Sequence, residues 1–267
     1  MILFDSHAHY DDARFDEDRD EILKSIHANG VARVVNVGSS LATSARSLSL
    51  AEKYRFVYAA VGVHPSDARS DMENGDWLSK LEGMARSTDK CRAVGEIGLD
   101  YYYGKDDISE QKECFRQQMA LAEKLSLPVI VHDRDAHEDT LDIIKEFPNV
   151  RGVVHAFSGS FEMAKEVLKR GWYIGVGGVL TFKNARKLIE IVERLNELSP
   201  DALRHILTET DCPYLTPVPH RGERNRSDYM TFVAEKAASL LGMTAEEFAL
   251  LTYQNACRFY GLPTEAE

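Results

Sequence analysis

The sequence lacks the patterns that mark several common protein classes. No apolar run approaches the roughly 20 residues of a membrane span, and the apolar start from Ile2 to Phe4 is too short for a signal-peptide core. The four cysteines form no CxxC pair, which argues against a zinc ribbon or a redox motif. No GxGxxG follows the first apolar run, as a dinucleotide-binding domain would require. We therefore expect a cytoplasmic protein with reduced thiols and no membrane association.

Basic residues are outnumbered by acidic ones. The chain has 32 Lys and Arg against 43 Asp and Glu, for a net charge of -11. A field of that sign repels polyanions, which argues against a general duplex-binding protein. Bound divalent cations and a few local arginines can reverse the field inside a site, so the net charge does not exclude a nucleic-acid substrate.

What the sequence does contain is a regular alternation of short apolar runs and segments with helical spacing. The 267 residues suit one domain, and Thr244 to Glu247 forms a capping box before a last helix. The candidate strands are Met1–Phe4, Arg33–Val37, Val57–Val61, Arg92–Val94, Pro128–Val131, Val153–Val154, Tyr173–Val176 and His205–Leu207. Eight such repeats predict an α/β fold, a single (β/α)8 TIM barrel over residues 1–267, with an open doubly wound sheet as the alternative.

Potential metal ligands follow these apolar runs, where a barrel displays its chemistry. His7 and His9 form an H-x-H pair, and residues two apart in an extended chain face the same side. A lone histidine near a strand end is more often a hydrogen-bonded core residue, but six strand ends together predict a catalytic metal site. The later candidates are His64, Glu96, His132, His155, Glu209 and Asp211.

Imidazole nitrogens combined with carboxylates suit Zn, Mn, Fe, Ni or Co. We place Glu96 at the end of strand four, where its two oxygens could bridge two ions about 3.5 to 4 Å apart. The predicted metal ligands are His7, His9, Glu96, His132, His155 and Asp211.

Six short strings in chain order carry a family resemblance across essentially the whole chain. They are Asp5-Ser6-His7-Ala8-His9, Val61-Gly62-Val63-His64-Pro65, Gly95-Glu96-Ile97-Gly98-Leu99-Asp100-Tyr101, Val131-His132-Asp133-Arg134, His155-Ala156-Phe157-Ser158-Gly159 and Glu209-Thr210-Asp211-Cys212-Pro213-Tyr214. Together they resemble the TatD-like deoxyribonucleases of the amidohydrolase superfamily.

This resemblance implies a two-metal (β/α)8 hydrolase that trims DNA, often exonucleolytically from the 3′ end. His7, His9, Glu96 and Asp211 would hold one ion, while Glu96, His132 and His155 would hold the other. The metal could be Zn, Mn, Mg, Ni, Co or Fe. The implied substrate is DNA, single-stranded or at 3′ ends, and no obligate protein partner is inferred. Asp211 would accept the proton of the attacking water, with Glu96 as the second catalytic residue.

Four side chains are candidate substrate contacts: His64, Arg134, Arg221 and Arg224. For His64 the alternative is a structural role or a hydrogen bond to a ligand, and for Arg134 it is a salt bridge to Asp133 or Asp135. Glu209 is expected to orient a ligand. The tyrosines at 101–103 could stack a nucleobase, although packing is the commoner role of aromatic residues at a barrel rim.

The loop from Arg221 to Tyr229 departs from the family pattern R-G-K-x-N-x-P-x-Y. It lacks the proline, and Glu223 stands in place of the lysine. This puts its substrate contacts in doubt, because a solvated loop of mixed charge explains Arg221 and Arg224 equally well.

Two other functions remain open from the sequence. One is a hydrolase on the same scaffold that attacks an amide, a lactone or an aminoacyl ester, because the same activated water suits each of these electrophiles. The more distant one is a metal-binding protein without enzymatic activity, which would leave Asp211 without a purpose.

Overall fold

The computed structural model describes residues 1–73, 75–103 and 105–265, and eight strands of this part form one sheet in chain order, β1 to β8. The pairs β3–β4, β4–β5, β5–β6 and β7–β8 are parallel. The number and order of the predicted strands are confirmed. The strands are β1 (Leu3–Ala8), β2 (Val31–Val37), β3 (Val57–Val61), β4 (Cys91–Asp100), β5 (Val129–Arg134), β6 (Gly152–Val154), β7 (Tyr173–Val176) and β8 (Ile206–Thr208).

Helices lie between the strands and after the last one. Thr244 caps the last helix through the predicted box with Glu247. None of the helices in the described part of the chain has the length and apolar character needed to cross a membrane. They are α1 (Arg19–Ala28), α2 (Leu41–Lys53), α3 (Ala68–Met72), α4 (Trp77–Arg86), α5 (Ile108–Leu125), α6 (His137–Glu146), α7 (Phe161–Lys169), α8 (Arg186–Glu193), α9 (Leu195–Leu198), α10 (Met230–Leu241) and α11 (Ala245–Tyr260).

Three predicted ligands lie inside strands and not after them. His7, Glu96 and His132 belong to β1, β4 and β5, so the placement of Glu96 at the end of strand four is wrong. The sequence rule ended each strand at its first polar residue. The hydrogen-bond ladder of the strand continues past that residue, because it joins main-chain groups and does not depend on side-chain polarity. Side chains alternate between two faces of the sheet, and either face can be polar.

The chain divides into two compact units, Met1–Val35 with Ala156–Glu267, and Asn36–His155. In the first unit, the residues at the end of β1 hydrogen-bond with the segment that follows β8. The backbone N–H of His9 donates to the carbonyl of Cys212 at 2.8 Å, and that of Asp211 donates to the carbonyl of His7 at 2.9 Å. First and last strands are thereby joined, as a (β/α)8 barrel requires.

Asp5 is a fully buried carboxylate in this first unit. Its Oδ1 accepts the backbone N–H of Thr210 at 3.0 Å and that of His7 at 3.3 Å, and its Oδ2 accepts the hydroxyls of Thr210 and Ser227, both at 2.6 Å. Burial raises the pKa of Asp5 to about 6, although these hydrogen bonds act to lower it. Asp5 thus ties β1 to the residue before Asp211 and to the loop that ends at Ser227.

In the second unit, a glycine allows β4 and β5 to approach closely. Gly98 is paired in register with His132 and has a φ of +138°, a conformation that side-chain-bearing residues rarely adopt. A Cβ at this position would overlap the carbonyl oxygen of His132. Position 98 therefore requires glycine. It lies two residues after Glu96 on β4 and opposite His132 on β5.

We predict that Gly98→Ala lowers the free energy of unfolding by at least about 2 kcal/mol, since overlap and backbone strain add. Urea unfolding followed by circular dichroism measures the change. The matched control is Gly83→Ala in α4, where an added Cβ meets no atom within 4 Å. In that control the free energy of unfolding should rise by about 0.5 to 1 kcal/mol. Equal midpoints for Gly98→Ala and the unmodified protein would contradict the close approach.

We predict that Asp5→Ala lowers the free energy of unfolding by about 2 to 4 kcal/mol, because it removes the shared acceptor of two buried backbone N–H groups and two hydroxyls. Scanning calorimetry at neutral pH measures the effect. The control, Asp142→Ala, removes an exposed carboxylate that pairs with Lys145, and its effect should stay within about 0.5 kcal/mol. Similar losses of stability in both variants would show that the hydrogen bonds of Asp5 do not stabilise the fold.

Candidate metal centre

The first group of predicted ligands lies in the first unit and consists of His7, His9 and Asp211. Because His7 and His9 are two residues apart, both rings point the same way, and their Nε2 atoms are 3.0 Å apart. The Oδ1 of Asp211 lies 3.2 Å from Nε2 of His9 and 3.7 Å from Nε2 of His7. Asp211 has a φ of +55°, a left-handed conformation that Asp tolerates better than most residues and that is concentrated at functional sites.

The second group lies in the second unit around Glu96. Its Oε1 is 2.7 Å from Nε2 of His155 and 2.9 Å from Nδ1 of His132, and these two nitrogens are 3.4 Å apart. Glu96 and His155 are buried, and His132 is partly buried. The three side chains come from β4, from β5 and from the residue directly after β6.

Both groups have the composition of a divalent-cation site. In each, two imidazole nitrogens and one carboxylate oxygen point at one another, and two neutral imidazoles can share only one proton between facing nitrogens. A cation accepts all three lone pairs at once, and nitrogen with oxygen ligands suits Zn and the neighbouring first-row metals. The residues present therefore fit divalent metal binding.

Asp100 orients His132 from the side opposite Glu96. Its Oδ2 is 3.2 Å from Nε2 of His132, so this ring nitrogen can donate a proton to Asp100 while Nδ1 faces Glu96. Burial alone would lower the pKa of His132, but the hydrogen bonds with Asp100 and Glu96 outweigh it and raise that pKa to about 9. The same negative field favours a cation beside Nδ1.

His64 adjoins this group through Glu96, with its Nε2 3.8 Å from Oε1. Nδ1 of His64 accepts the backbone N–H of Ser66 at 3.1 Å, which assigns the ring proton of the neutral form to Nε2. Burial, followed by the charge of His132, lowers the pKa of His64 to about 3 and keeps the ring neutral. His64 therefore presents an N–H toward Glu96, which fits a supporting or substrate-binding role better than direct ligation.

Glu209 is buried and accepts the backbone N–H of Ala156, the residue after His155. Space for its carboxylate exists because position 175 is glycine, where a Cβ would overlap the carboxyl group of Glu209. The contact fits the expected orienting role, since it fixes the backbone beside a predicted ligand.

The candidate arginines have different surroundings. Arg224 forms a bidentate ion pair with Asp18, at 2.9 and 2.5 Å, and Arg221 donates to the carbonyl of Thr216 at 2.9 Å. Both guanidinium groups are thus engaged by the protein itself, and their contact with substrate stays a prediction. Arg134 is exposed, and within the described ranges it forms none of the ion pairs with Asp133 or Asp135 that the sequence allowed.

Asp5 and Asp100 have roles that the sequence did not predict, although both lie in the strings that resemble the family. Each could have been found as a carboxylate within or at the end of an otherwise apolar strand. Such a residue indicates hydrogen-bond partners, because charged side chains are almost never fully buried without them. Both residues supply those partners to the backbone and to a predicted ligand.

Known proteins similar to this chain include a matching family and metal-dependent hydrolases. The family model described as "TatD related DNase" matches residues 4–261. YabD of Bacillus subtilis, named an uncharacterized metal-dependent hydrolase, is 44% identical over 263 residues, covering 97% of this chain and 99% of that protein. YcfH of Escherichia coli K12, named in the same way, is 35% identical and covers 97% of this chain and 96% of that protein.

Solved structures show the same fold. The TatD homologue YJJV of Escherichia coli K12 matches with a TM-score of 0.89 at 30% identity and covers 98% of each chain. An organophosphorus hydrolase of Deinococcus radiodurans matches with a TM-score of 0.67 at 15% identity, covering 97% of this chain and 93% of that one, and shares the fold alone. The predicted (β/α)8 class is confirmed, and the chain belongs to the TatD-related DNase family of metal-dependent hydrolases.

Proposed function

We propose that this metal-dependent hydrolase is a deoxyribonuclease that cleaves phosphodiester bonds, of the 3′-to-5′ exonuclease type, acting on single-stranded DNA or 3′ ends. The observation that carries the proposal is the pair of imidazole and carboxylate groups at the sheet, His7 with His9 and Asp211, and Glu96 with His132 and His155. The family's description as DNases supports the phosphodiester as substrate.

Each group would hold one divalent ion, chosen among Zn, Mn, Mg, Ni, Co and Fe largely by availability in the cell. When bound, such ions lower the pKa of water toward neutrality and polarise a phosphoryl oxygen. The bridging role of Glu96 stays a prediction of the sequence.

The side chains themselves would position and move protons. Asp211 would accept the proton of the attacking water at a carboxylate oxygen, since it is the more exposed carboxylate of the two groups, at 18% against 5% for Glu96. Asp100 would hold the ring of His132 in place. The N–H at Nε2 of His64 would donate to Glu96 or to a substrate phosphate oxygen.

The alternative hydrolases act on an amide, a lactone or an aminoacyl ester. The metal ligands alone do not distinguish these hydrolases from a nuclease, because a metal site activates water in the same way whichever electrophile the water attacks. YabD and YcfH are named as metal-dependent hydrolases without a substrate, so these substrates are outcomes of the test.

We also propose that the protein works in the cytoplasm. All four cysteines are buried and unbridged in the structure, which fits a reducing compartment.

The test is hydrolysis of end-labelled single-stranded and duplex DNA by metal-stripped protein resupplied with Mg²⁺, Mn²⁺ or Zn²⁺. We expect trimming that depends on added metal and falls by about 10²- to 10⁴-fold in Asp211→Asn, which keeps the shape of the side chain but removes the base. Asp142→Asn, at an exposed position on α6, should leave the rate unchanged.

Full turnover by Asp211→Asn with metal bound would refute its role as the base. If no metal restores cleavage of either DNA, the phosphodiester proposal fails, and lactone, amide and aminoacyl ester substrates become the ones to assay.

A further inference from the structure

Three side chains of the second unit form a solvent-facing stack, here called the aromatic platform: Tyr102, Tyr103 and Arg134. The tyrosines are 54% and 73% exposed, although large aromatic side chains usually bury most of their surface. Their rings meet edge to face at 4.6 Å, and the guanidinium of Arg134 lies 4.3 Å from one ring centroid and 4.8 Å from the other. Packing against the barrel does not explain side chains this exposed.

The charge of Arg134 is available to a ligand. In the described part of the chain no carboxylate pairs with it, and the adjacent Asp133 accepts from His137 at 2.7 Å instead. The contrast is Arg14, which stacks on Tyr214 at 4.0 Å but is neutralised by Asp12 at 2.9 Å. An exposed cation over two rings is the composition used to bind single-stranded nucleic acids.

Asp100 connects the aromatic platform to the metal centre. Its Oδ1 accepts the backbone N–H groups of Tyr102 and Tyr103, both at 2.9 Å, while its Oδ2 contacts Nε2 of His132 at 3.2 Å. Arg134 lies two residues after His132 on β5, on the same face and about 7 Å farther along the strand. The aromatic platform thus includes a side chain that lies two strand positions from a proposed metal ligand.

We infer that the aromatic platform binds an unpaired nucleobase next to the scissile phosphate, with Arg134 contacting a backbone phosphate. This inference rests on the proposed nuclease function and assigns the residues that would bind an unpaired nucleotide of its substrate. A base inside a duplex presents only its edges, so stacking on the tyrosines requires an unpaired or extruded nucleotide. An aliphatic lactone or amide has no aromatic ring to stack on the tyrosines.

The test measures binding by fluorescence anisotropy, using the full chain with Asp211→Asn and added metal so that the probe is not consumed. The probes are a fluorescein-labelled oligothymidylate of eight nucleotides and a series in which one nucleotide at a time is abasic. Tyr102→Leu and Tyr103→Leu remove the rings, and Arg134→Lys keeps the charge without the planar stack. The control is Tyr58→Leu, an aromatic side chain under Lys90 near the amino end of β3.

We expect the tyrosine variants to bind the intact probe roughly 10- to 100-fold more weakly. When the nucleotide at one position is abasic, the protein with the unmodified platform should bind the probe more weakly by a similar factor. The affinity of the tyrosine variants should not fall further at that position. Arg134→Lys should weaken binding, and Tyr58→Leu should match the unmodified platform.

Unchanged binding by the tyrosine variants, or an equal loss at every abasic position, would overturn the inference. If the unmodified protein cleaves DNA and the tyrosine variants bind the probe as tightly as it does, the role of the aromatic platform is refuted and the nuclease proposal stands. Platform-dependent binding without cleavage by any metal would refute the nuclease proposal and leave the platform standing.

Discussion

The structure depends on buried carboxylates whose hydrogen bonds are fully used. Asp5 is the clearest case, since it accepts from His7, Thr210 and Ser227 and so joins the first strand to the segment after the last one. Burial of a charge is costly unless partners compensate, and here two of the three partners belong to the proposed metal centre or adjoin it in sequence, namely His7 and Thr210. The geometry of His7 and Asp211 therefore follows from the same contacts that join the strands.

The second unit repeats this arrangement with Asp100. One oxygen faces His132 and the other accepts two backbone N–H groups of the exposed tyrosine segment. Its hydrogen bonds, first with His132, hold the pKa of Asp100 at about 2 against the effect of burial, so the carboxylate stays charged. A fixed negative charge behind an imidazole strengthens its binding to a cation, and the same residue sets where the aromatic side chains stand.

Negative charge dominates both the chain and the proposed site. Bound divalent ions would supply the positive charge that a phosphate substrate requires, and the arginines divide into two kinds. Arg221 and Arg224 are engaged by a carbonyl and by Asp18, while Arg134 faces solvent over two rings. Electrostatic attraction of substrate would therefore be local, which agrees with a protein whose net charge disfavours general DNA binding.

The sequence predicted the strand order, because apolar runs reflect the parallel sheet directly. The grouping of the metal ligands followed from the family resemblance and stays a prediction. The sequence misplaced Glu96 relative to its strand, since polarity ends an apolar run without ending the hydrogen-bond ladder. It could not find the roles of Asp5 and Asp100, which depend on contacts with residues 205 and 32 positions away. Nor could it tell that Arg134 lacks the ion pair expected from its neighbours, because side-chain direction is set by packing.

The most direct test of the account is the metal content of the purified protein, measured by equilibrium dialysis of metal-stripped chain against Zn²⁺ or Mn²⁺ followed by elemental analysis. We expect about two ions per chain, falling to about one in His9→Gln and in Glu96→Gln, because each variant removes a ligand from one of the two groups. Unchanged metal content in both variants, or no bound metal in the unmodified protein, would contradict the assignment of these residues as metal ligands.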